Sequence, residues 1–211
     1  IDNNDSGTTN DDTVVSHKPA YEGRIALGVA AFGMEKKMEA GLSGHYGQEV
    51  AEFATSATNP NGTHTFETYS IAGDLVVPVC QYLDLKGEAW RGRNLDGYNG
   101  GINQGIAGTG AGFRHEIDSR GGWGQVRVHP LADLHFGTGM GVDDPVNHQL
   151  NRGAREKNFI KFANVFYDLN KAITVGIEAM EIVTDFYRAR TGADIQRGKD
   201  DRVGMAVTFK F

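Results

Sequence analysis

The sequence predicts an all-β fold, an antiparallel sheet of about nine amphipathic strands. Segments of about ten residues recur along the chain in which every second side chain is apolar, the period of a strand with two unlike faces. The 29 glycines and 5 prolines follow no collagen period and fit frequent turns and close strand contacts. The connections between the segments alternate between short and long, which is typical of a strand meander.

Segment 201–211 shows the alternation most clearly. One face carries Val203, Met205, Val207, Phe209 and Phe211, and the other carries Arg202, Gly204, Ala206, Thr208 and Lys210. The same pattern predicts strands at about 21–33, 38–47, 66–77, 82–93, 114–129, 132–141, 158–168 and 172–184. The chain therefore consists mainly of strands with one apolar and one polar face.

The connections indicate where these strands belong. Counting back from Phe211, short turns near Leu169, Pro130, Pro78 and Glu35 all fall at the end of the sheet where Phe211 lies. The longer loops all fall at the opposite end. Transmembrane β-barrels show this asymmetry, with short periplasmic turns and long external loops. The sequence thus favours an antiparallel transmembrane β-barrel.

Composition narrows the possible functions. No run approaches the roughly 18 apolar residues of a membrane helix, whereas a barrel strand needs only about 10 residues with every second one apolar. The net charge of -6 disfavours nucleic acid as a partner. The single cysteine, Cys80, cannot form an internal disulfide.

The sequence predicts no enzyme, no cofactor and no metal site. Gly108, Gly110 and Gly112 have the wrong spacing for a dinucleotide-binding turn, and no hydrolase nucleophile motif occurs. The 7 histidines form no metal-binding pair motif. His129 and His135 flank one turn and can approach each other, but we expect solvated or lumen-lining histidines there.

Several stretches resemble outer-membrane porins, including the DcaP-like group: 37–47, 73–79, 85–93, 119–125 and 202–211. The resemblance implies a water-filled channel for passive diffusion of small hydrophilic solutes. It also implies a homotrimer in contact with outer-membrane lipid, in the envelope of a Gram-negative bacterium. Bacterial barrels have an even number of strands, so nine strands predict the C-terminal part of a larger barrel of about 16 to 18 strands. On this reading residues 1–19 are an extracellular loop remnant and 20–211 are the barrel strands.

If the apolar faces meet lipid, the opposite faces line the pore. The predicted pore-lining residues are Arg24, Glu39, His45, Asp74, Lys86, Glu88, Arg127, Asp133, Glu178, Arg202 and Lys210. Acids and bases occur in similar numbers, so no charge preference is predicted; cross-strand ion pairs that stiffen the wall are the plainer interpretation. The glycine-rich loop 99–112 is the candidate for a segment that enters the lumen, with a plain external loop as the alternative.

Aromatic residues near strand ends suggest two interfacial girdles. The outer girdle would contain Tyr21, Tyr46, Phe66, Tyr69, Trp90, Phe159 and Phe186, and the inner girdle Phe32, Tyr82, Tyr167 and Phe211. Two other functions remain open. One is a structural or adhesive barrel whose loops bind a partner, and the other is a soluble, lipocalin-like barrel with its apolar faces inward.

Overall fold

The computed structural model describes residues 18–30, 36–52, 63–108, 114–188 and 196–210. The expectations for residues 1–17, for Phe32 and for Phe211 lie outside these ranges. The strands are β1 (Tyr21–Ala30), β2 (Lys37–Glu52), β3 (Thr63–Cys80), β4 (Leu83–Arg93), β5 (Ile106–Gly108), β6 (Arg114–Glu116), β7 (Asp118–Val128), β8 (Leu134–Pro145), β9 (Arg155–Asp168), β10 (Ile173–Phe186) and β11 (Arg197–Phe209). Short 3-10 turns occur at Asp96–Tyr98 and Asn147–Gln149.

The nine long strands form one antiparallel sheet in the order β1-β2-β3-β4-β7-β8-β9-β10-β11. The remaining two strands, β5 and β6, pair only with each other, inside the connection between β4 and β7. The prediction of an all-β, antiparallel fold with nine long strands is confirmed. In the described part of the chain, the two edge strands β1 and β11 do not pair with each other. This part of the chain also contains no helix able to cross a bilayer.

Several strands are longer than predicted, and the extra residues lie at the end of the sheet that carries the long loops. β2 continues to Glu52, β8 continues to Pro145, and β9 already begins at Arg155. Polar side chains occupy both faces there, so the alternation of apolar and polar residues disappears while the backbone pairing persists. An alternation rule cannot detect a strand whose two faces are both hydrated.

Pro78 was predicted to begin a tight turn, but it lies inside β3. The turn is formed by residues 81–82, and the register of β3 against β4 shifts between Pro78 and Cys80. Proline donates no backbone hydrogen bond and is therefore tolerated at such an irregularity.

Cross-strand pairing gives the sheet two unlike faces. Four residues, one from each of β2, β3, β4 and β7, are directly paired in a row across the sheet: Gly41, Asp74, Glu88 and Trp123. These four positions share one face of the sheet, which we call the polar face. We call the opposite one the apolar face. Its side chains are open to the surroundings: Leu27 is 78% exposed, Val203 77% and Met205 82%.

The apolar face is apolar only in the half nearest the short turns. In its other half, towards the long loops, it carries cross-strand ion pairs. These are Arg93 with Asp118 (2.7 Å), Arg120 with Asp144 (3.0 Å), Lys199 with Glu181 (2.8 Å) and Arg197 with Asp185 (2.6 Å). The exposed apolar band therefore ends at a belt of paired charges.

Candidate solute site on the polar face

The loop that follows β4 folds onto the polar face. Leu95 is 2% and Ile102 5% exposed. The backbone N–H of Ile102 donates to Asp143 Oδ2 (2.9 Å), and Gln104 exchanges two hydrogen bonds with the backbone of Arg155 (2.8 and 3.0 Å). The described part of the predicted lumen-entering loop, 99–108, thus lies against the sheet. Residues 109–112 are outside the described ranges.

Backbone conformation in this loop is strained. Asn99, Ile102 and Asn103 have φ values of 61°, 55° and 55°. A β-branched residue in the left-handed region is a true outlier, costing about 1–3 kcal/mol unless the surroundings enforce it. At Ile102 the burial of the side chain and the bond to Asp143 enforce it. The loop is held in one position rather than resting on the face.

Beneath the loop, His45 lies at the margin of the space between loop and sheet. Thr68 Oγ1 donates to the carbonyl of Asn94 (2.8 Å), so it accepts from His45 Nε2 (3.0 Å). Ser70 Oγ contacts His45 Nδ1 (2.7 Å). The ring of Tyr98 stacks on His45 with centroids 3.6 Å apart. His45 therefore stays a predicted pore-lining residue, and Tyr98 covers one face of its ring.

Tyr98, which stacks on His45, also lines the space between the loop and the sheet. Burial, together with the nearby Glu22 carboxylate, raises the pKa of the Tyr98 phenol above its ordinary value. The phenol therefore stays protonated at neutral pH and remains a hydrogen-bond donor.

Between the loop and the polar face lies a cavity of about 560 Å³. We call it the loop-end cavity. Its charged and aromatic lining consists of Glu22, Arg24, His45, Glu88, Trp90, Tyr98 and Trp123. A second cavity of about 450 Å³ lies on the far side of the two tryptophans, and Asn99 of the loop borders both. The two indoles thus stand between two hydrated spaces.

Arg24 is held by two acids. Its guanidinium lies 2.7 Å from Glu39 and 2.7 Å from Asp74, and its Nε also donates to Asp74 (3.2 Å). The structure thus brings together three predicted pore-lining residues. Because two carboxylates surround one cation, this cluster keeps a net negative charge.

Glu88 is the unpaired acid of the cavity. It lies directly opposite Asp74 on one side and Trp123 on the other. Among the residues that the structure describes, its carboxylate has no ion pair or side-chain hydrogen bond. Directly opposed residues in a sheet have Cβ atoms about 4.5–5.5 Å apart, so the carboxylates of Asp74 and Glu88 lie side by side. Arg24 contacts the carboxylate of Asp74 and not that of Glu88.

At the other end of the polar face, near the short turns, side chains form a continuous network. His129 Nε2 contacts Asp84 (2.8 Å), His129 Nδ1 contacts His135 Nδ1 (2.7 Å), and His135 Nε2 contacts Asp168 (3.1 Å). Lys36 pairs with Asp84 (3.2 Å), and Thr174 donates to Asp168. We call these residues the turn-end network. The prediction that the two histidines can approach each other is confirmed.

These contacts form a chain that runs from Asp84 through the two imidazole rings to Asp168. It links the turn before β4 to the turns before β8 and after β9. No group of three or more His, Cys, Asp or Glu side chains within the described ranges is arranged to hold a metal ion.

The other predicted residues are spread over the polar face. Arg127, Glu178 and Lys210 line a cavity of about 470 Å³ beside the turn-end network, where Asn164 donates to Glu178 (3.0 Å). Lys86 lies opposite Gln125, and Arg202 donates to Asp200 (2.6 Å). Asp133 lies in the turn before β8, outside the strands, so it belongs to the rim of the face rather than to its wall.

Acidic side chains outnumber basic ones on the polar face, contrary to the balance expected from the sequence. The acids are Glu22, Glu39, Glu49, Asp74, Asp84, Glu88, Asp143, Asp168, Glu178 and Asp200, and the bases are Arg24, Lys36, Lys37, Lys86, Arg127, Arg155, Arg202 and Lys210. The excess was missed because strand extensions and turn-adjacent positions were not counted. The polar face therefore attracts cations.

Sequence reasoning also missed the aromatic side chains of the cavity. Trp90 was expected in an aromatic girdle, but it lies on the polar face opposite Ala72 and Gly121. Phe66, expected in the same girdle, is fully buried (0% exposed). The sequence could have placed Trp90 correctly. It lies two residues after Glu88 in the same strand, and side chains two residues apart in a strand share one face.

Comparison with known proteins adds little. No protein-family model matches the chain, and no curated protein matches it. Among solved structures, the chain is similar to one titled "NanC porin structure in rhombohedral crystal form", with 14% sequence identity over 91% of this chain and 94% of that one. The TM-score is 0.49. A likeness this weak does not identify a function.

Proposed function

We propose that this chain forms part of the wall of a bacterial outer-membrane channel through which small hydrophilic solutes diffuse passively. The observation that carries the proposal is the exposure of the apolar face. A contiguous exposed apolar surface indicates contact with a membrane or a partner. In this protein the exposed apolar surface lies on one side of the sheet, and the loop and the loop-end cavity lie on the other, polar side.

The same observation opposes the soluble, lipocalin-like alternative. That alternative requires Val203, Val207 and Leu75 to gather in a dry interior. They are instead 77%, 58% and 45% exposed, and the described loop packs on the opposite face. Apolar side chains that face outwards and charged ones that face a hydrated interior are the arrangement of a transmembrane barrel.

We further propose that additional strands close the sheet into a barrel. Every residue of β1 and nearly every residue of β11 is exposed, and each of these strands is paired on one side only within the described ranges. Within hydrocarbon each unsatisfied backbone group costs several kcal/mol, so an open edge is not viable there. We propose a trimer of such barrels, as the porin resemblance implies; the mass of the native assembly tests both points.

Conductance of the purified protein in planar bilayers tests the channel. Stepwise, voltage-independent current increments are expected, and a bilayer that stays silent would defeat the proposal.

A matched pair of variants tests the orientation of the faces. Leu75→Arg places a charge on the apolar face, and Val76→Arg places it on the polar face of the same strand. A charge at the lipid-facing midplane costs about 2–4 kcal/mol, whereas one facing the lumen costs little. Leu75→Arg should therefore lower the denaturant midpoint of the protein in lipid vesicles much more. The reverse order would support the soluble alternative.

A further inference from the structure

The loop-end cavity has two aromatic walls that face hydrated space. The indole of Trp90 lies over Gly121, where an added Cβ would come within 2.3 Å of Cζ2 and 2.6 Å of Cε2. β7 therefore lies directly against the indole of Trp90, and the same side chain borders both cavities. Trp123 borders the same two cavities and is 37% exposed.

The charges around these walls are mostly negative. Glu88 is opposite Trp123 in the pairing of β4 with β7 and has no partner in the described part of the chain. Arg24, the basic residue of the lining, already contacts Glu39 and Asp74. The next base along β4, Lys86, does not border the cavity. A cation entering the loop-end cavity therefore finds the carboxylate of Glu88, while the guanidinium of Arg24 is held by two acids. Arg155 borders the second cavity and not this one.

An exposed π face beside a free carboxylate is the chemistry that recognises organic ammonium groups. A ligand cation over an indole gains about 0.5–1 kcal/mol in exposed sites and about 2 kcal/mol when water is displaced. Inorganic cations hold their hydration shells more tightly and gain less from an aromatic face. The cavity of about 560 Å³ has room for a small organic molecule.

We propose that the loop-end cavity binds solutes that carry an ammonium group, with the indoles of Trp90 and Trp123 contacting the cation and Glu88 as its counter-ion. The inference deepens the proposed function, because it names the class of solute that the channel retains. Tyr98 and Asn99 supply hydrogen-bonding groups for the remainder of such a solute. The acid excess of the polar face draws the cation in.

Intrinsic fluorescence reports on this site directly, since the chain contains 2 tryptophans and both border the cavity. The detergent-solubilised protein is titrated with choline and, separately, with 3,3-dimethylbutanol, a neutral molecule of the same shape. Choline should change the fluorescence with an affinity about tenfold higher than that of the neutral molecule. Equal affinities for the two would overturn the proposal.

Variants separate the charge from the aromatic contribution. Glu88→Gln should weaken choline binding about tenfold, and Trp123→Leu, which keeps apolar volume without the indole, about fivefold. Glu156→Gln on β9 borders neither cavity and should leave the affinity unchanged. Unchanged binding in Glu88→Gln contradicts the assignment; circular dichroism verifies that each variant keeps its β structure.

The binding and the channel fail in different ways. If the protein binds choline but gives no current in bilayers, the proposed binding site stands and the proposed channel is wrong. If it conducts but does not bind choline, the proposed channel stands and the proposed binding site is wrong.

Discussion

The two ends of the polar face use charged side chains in opposite ways. In the turn-end network, Asp84, His129, His135 and Asp168 each have a hydrogen-bonded partner, and Lys36 pairs with Asp84. In the loop-end cavity, Glu88 has no partner among the described residues. A closed network stabilises the turns it links, whereas an unpaired charge beside exposed indoles is free to contact a solute.

Effects on stability are therefore expected at the turn end and effects on binding at the loop end. Truncating one member of a satisfied network leaves its neighbours with fewer partners and costs stability. Removing an unpaired carboxylate relieves repulsion and costs binding alone. Three variants test this contrast, beginning with the largest expected effect.

Leu95→Ala should have the largest effect, because Leu95 anchors the loop to the sheet and is 2% exposed. Removing a buried leucine side chain costs about 2–5 kcal/mol, since a cavity remains. The loop should detach, raising single-channel conductance and lowering the denaturant midpoint. Leu131→Ala, at a turn position that is 59% exposed, is the control. Equal conductance in both variants would show that the loop does not restrict the pore.

Gly121→Ala should disrupt the loop-end cavity without touching its charges. The added Cβ would lie 2.3 Å from Trp90 Cζ2 and 2.7 Å from the carbonyl oxygen of Val142, so the indole and the strand must shift. Overpacking of this kind costs about 1–3 kcal/mol. The tryptophan emission should shift and choline affinity should fall. Gly204→Ala adds a Cβ to the same face with nothing within 4 Å and should change neither measurement.

His129→Ala should affect stability and not binding. It removes one hydrogen-bonded contact from Asp84 and one from His135. Lys36 still pairs with Asp84 and Asp168 still contacts His135, so the expected cost is about 1 kcal/mol. Thermal unfolding should occur at lower temperature, while the affinity for choline stays that of the unaltered protein. His148→Ala, at an exposed position, serves as the control. A loss of choline affinity in His129→Ala would show that the two ends are coupled.

The sequence predicted the strands best where their two faces differ. Val203, Met205 and Val207 alternate with polar residues, and that segment was placed within a few residues of β11. The ends of β2, β8 and β9 were missed, because water meets both of their faces and leaves no alternation to read. Within the site, Arg24, Glu39, Asp74 and Glu88 follow from period two alone.

What the alternation could not supply was contact between distant segments. Nothing in the sequence distinguishes Glu39, which contacts Arg24, from Glu88, which has no partner in the described part of the chain. That difference depends on which strands are neighbours and on their register. The cover over His45 likewise depends on where Tyr98 lies, and the path of an irregular loop has no periodic signal.

The strand class, the two unlike faces and the asymmetry between short and long connections are all predictable from the amino-acid sequence, because side-chain alternation and turn composition act locally along the chain. Which charges are neutralised, where the loop lies and that the two tryptophans border one cavity depend on the folded sheet. Those outcomes depend on distances between residues far apart in the chain, which the register of the sheet and the packing of the loop set together.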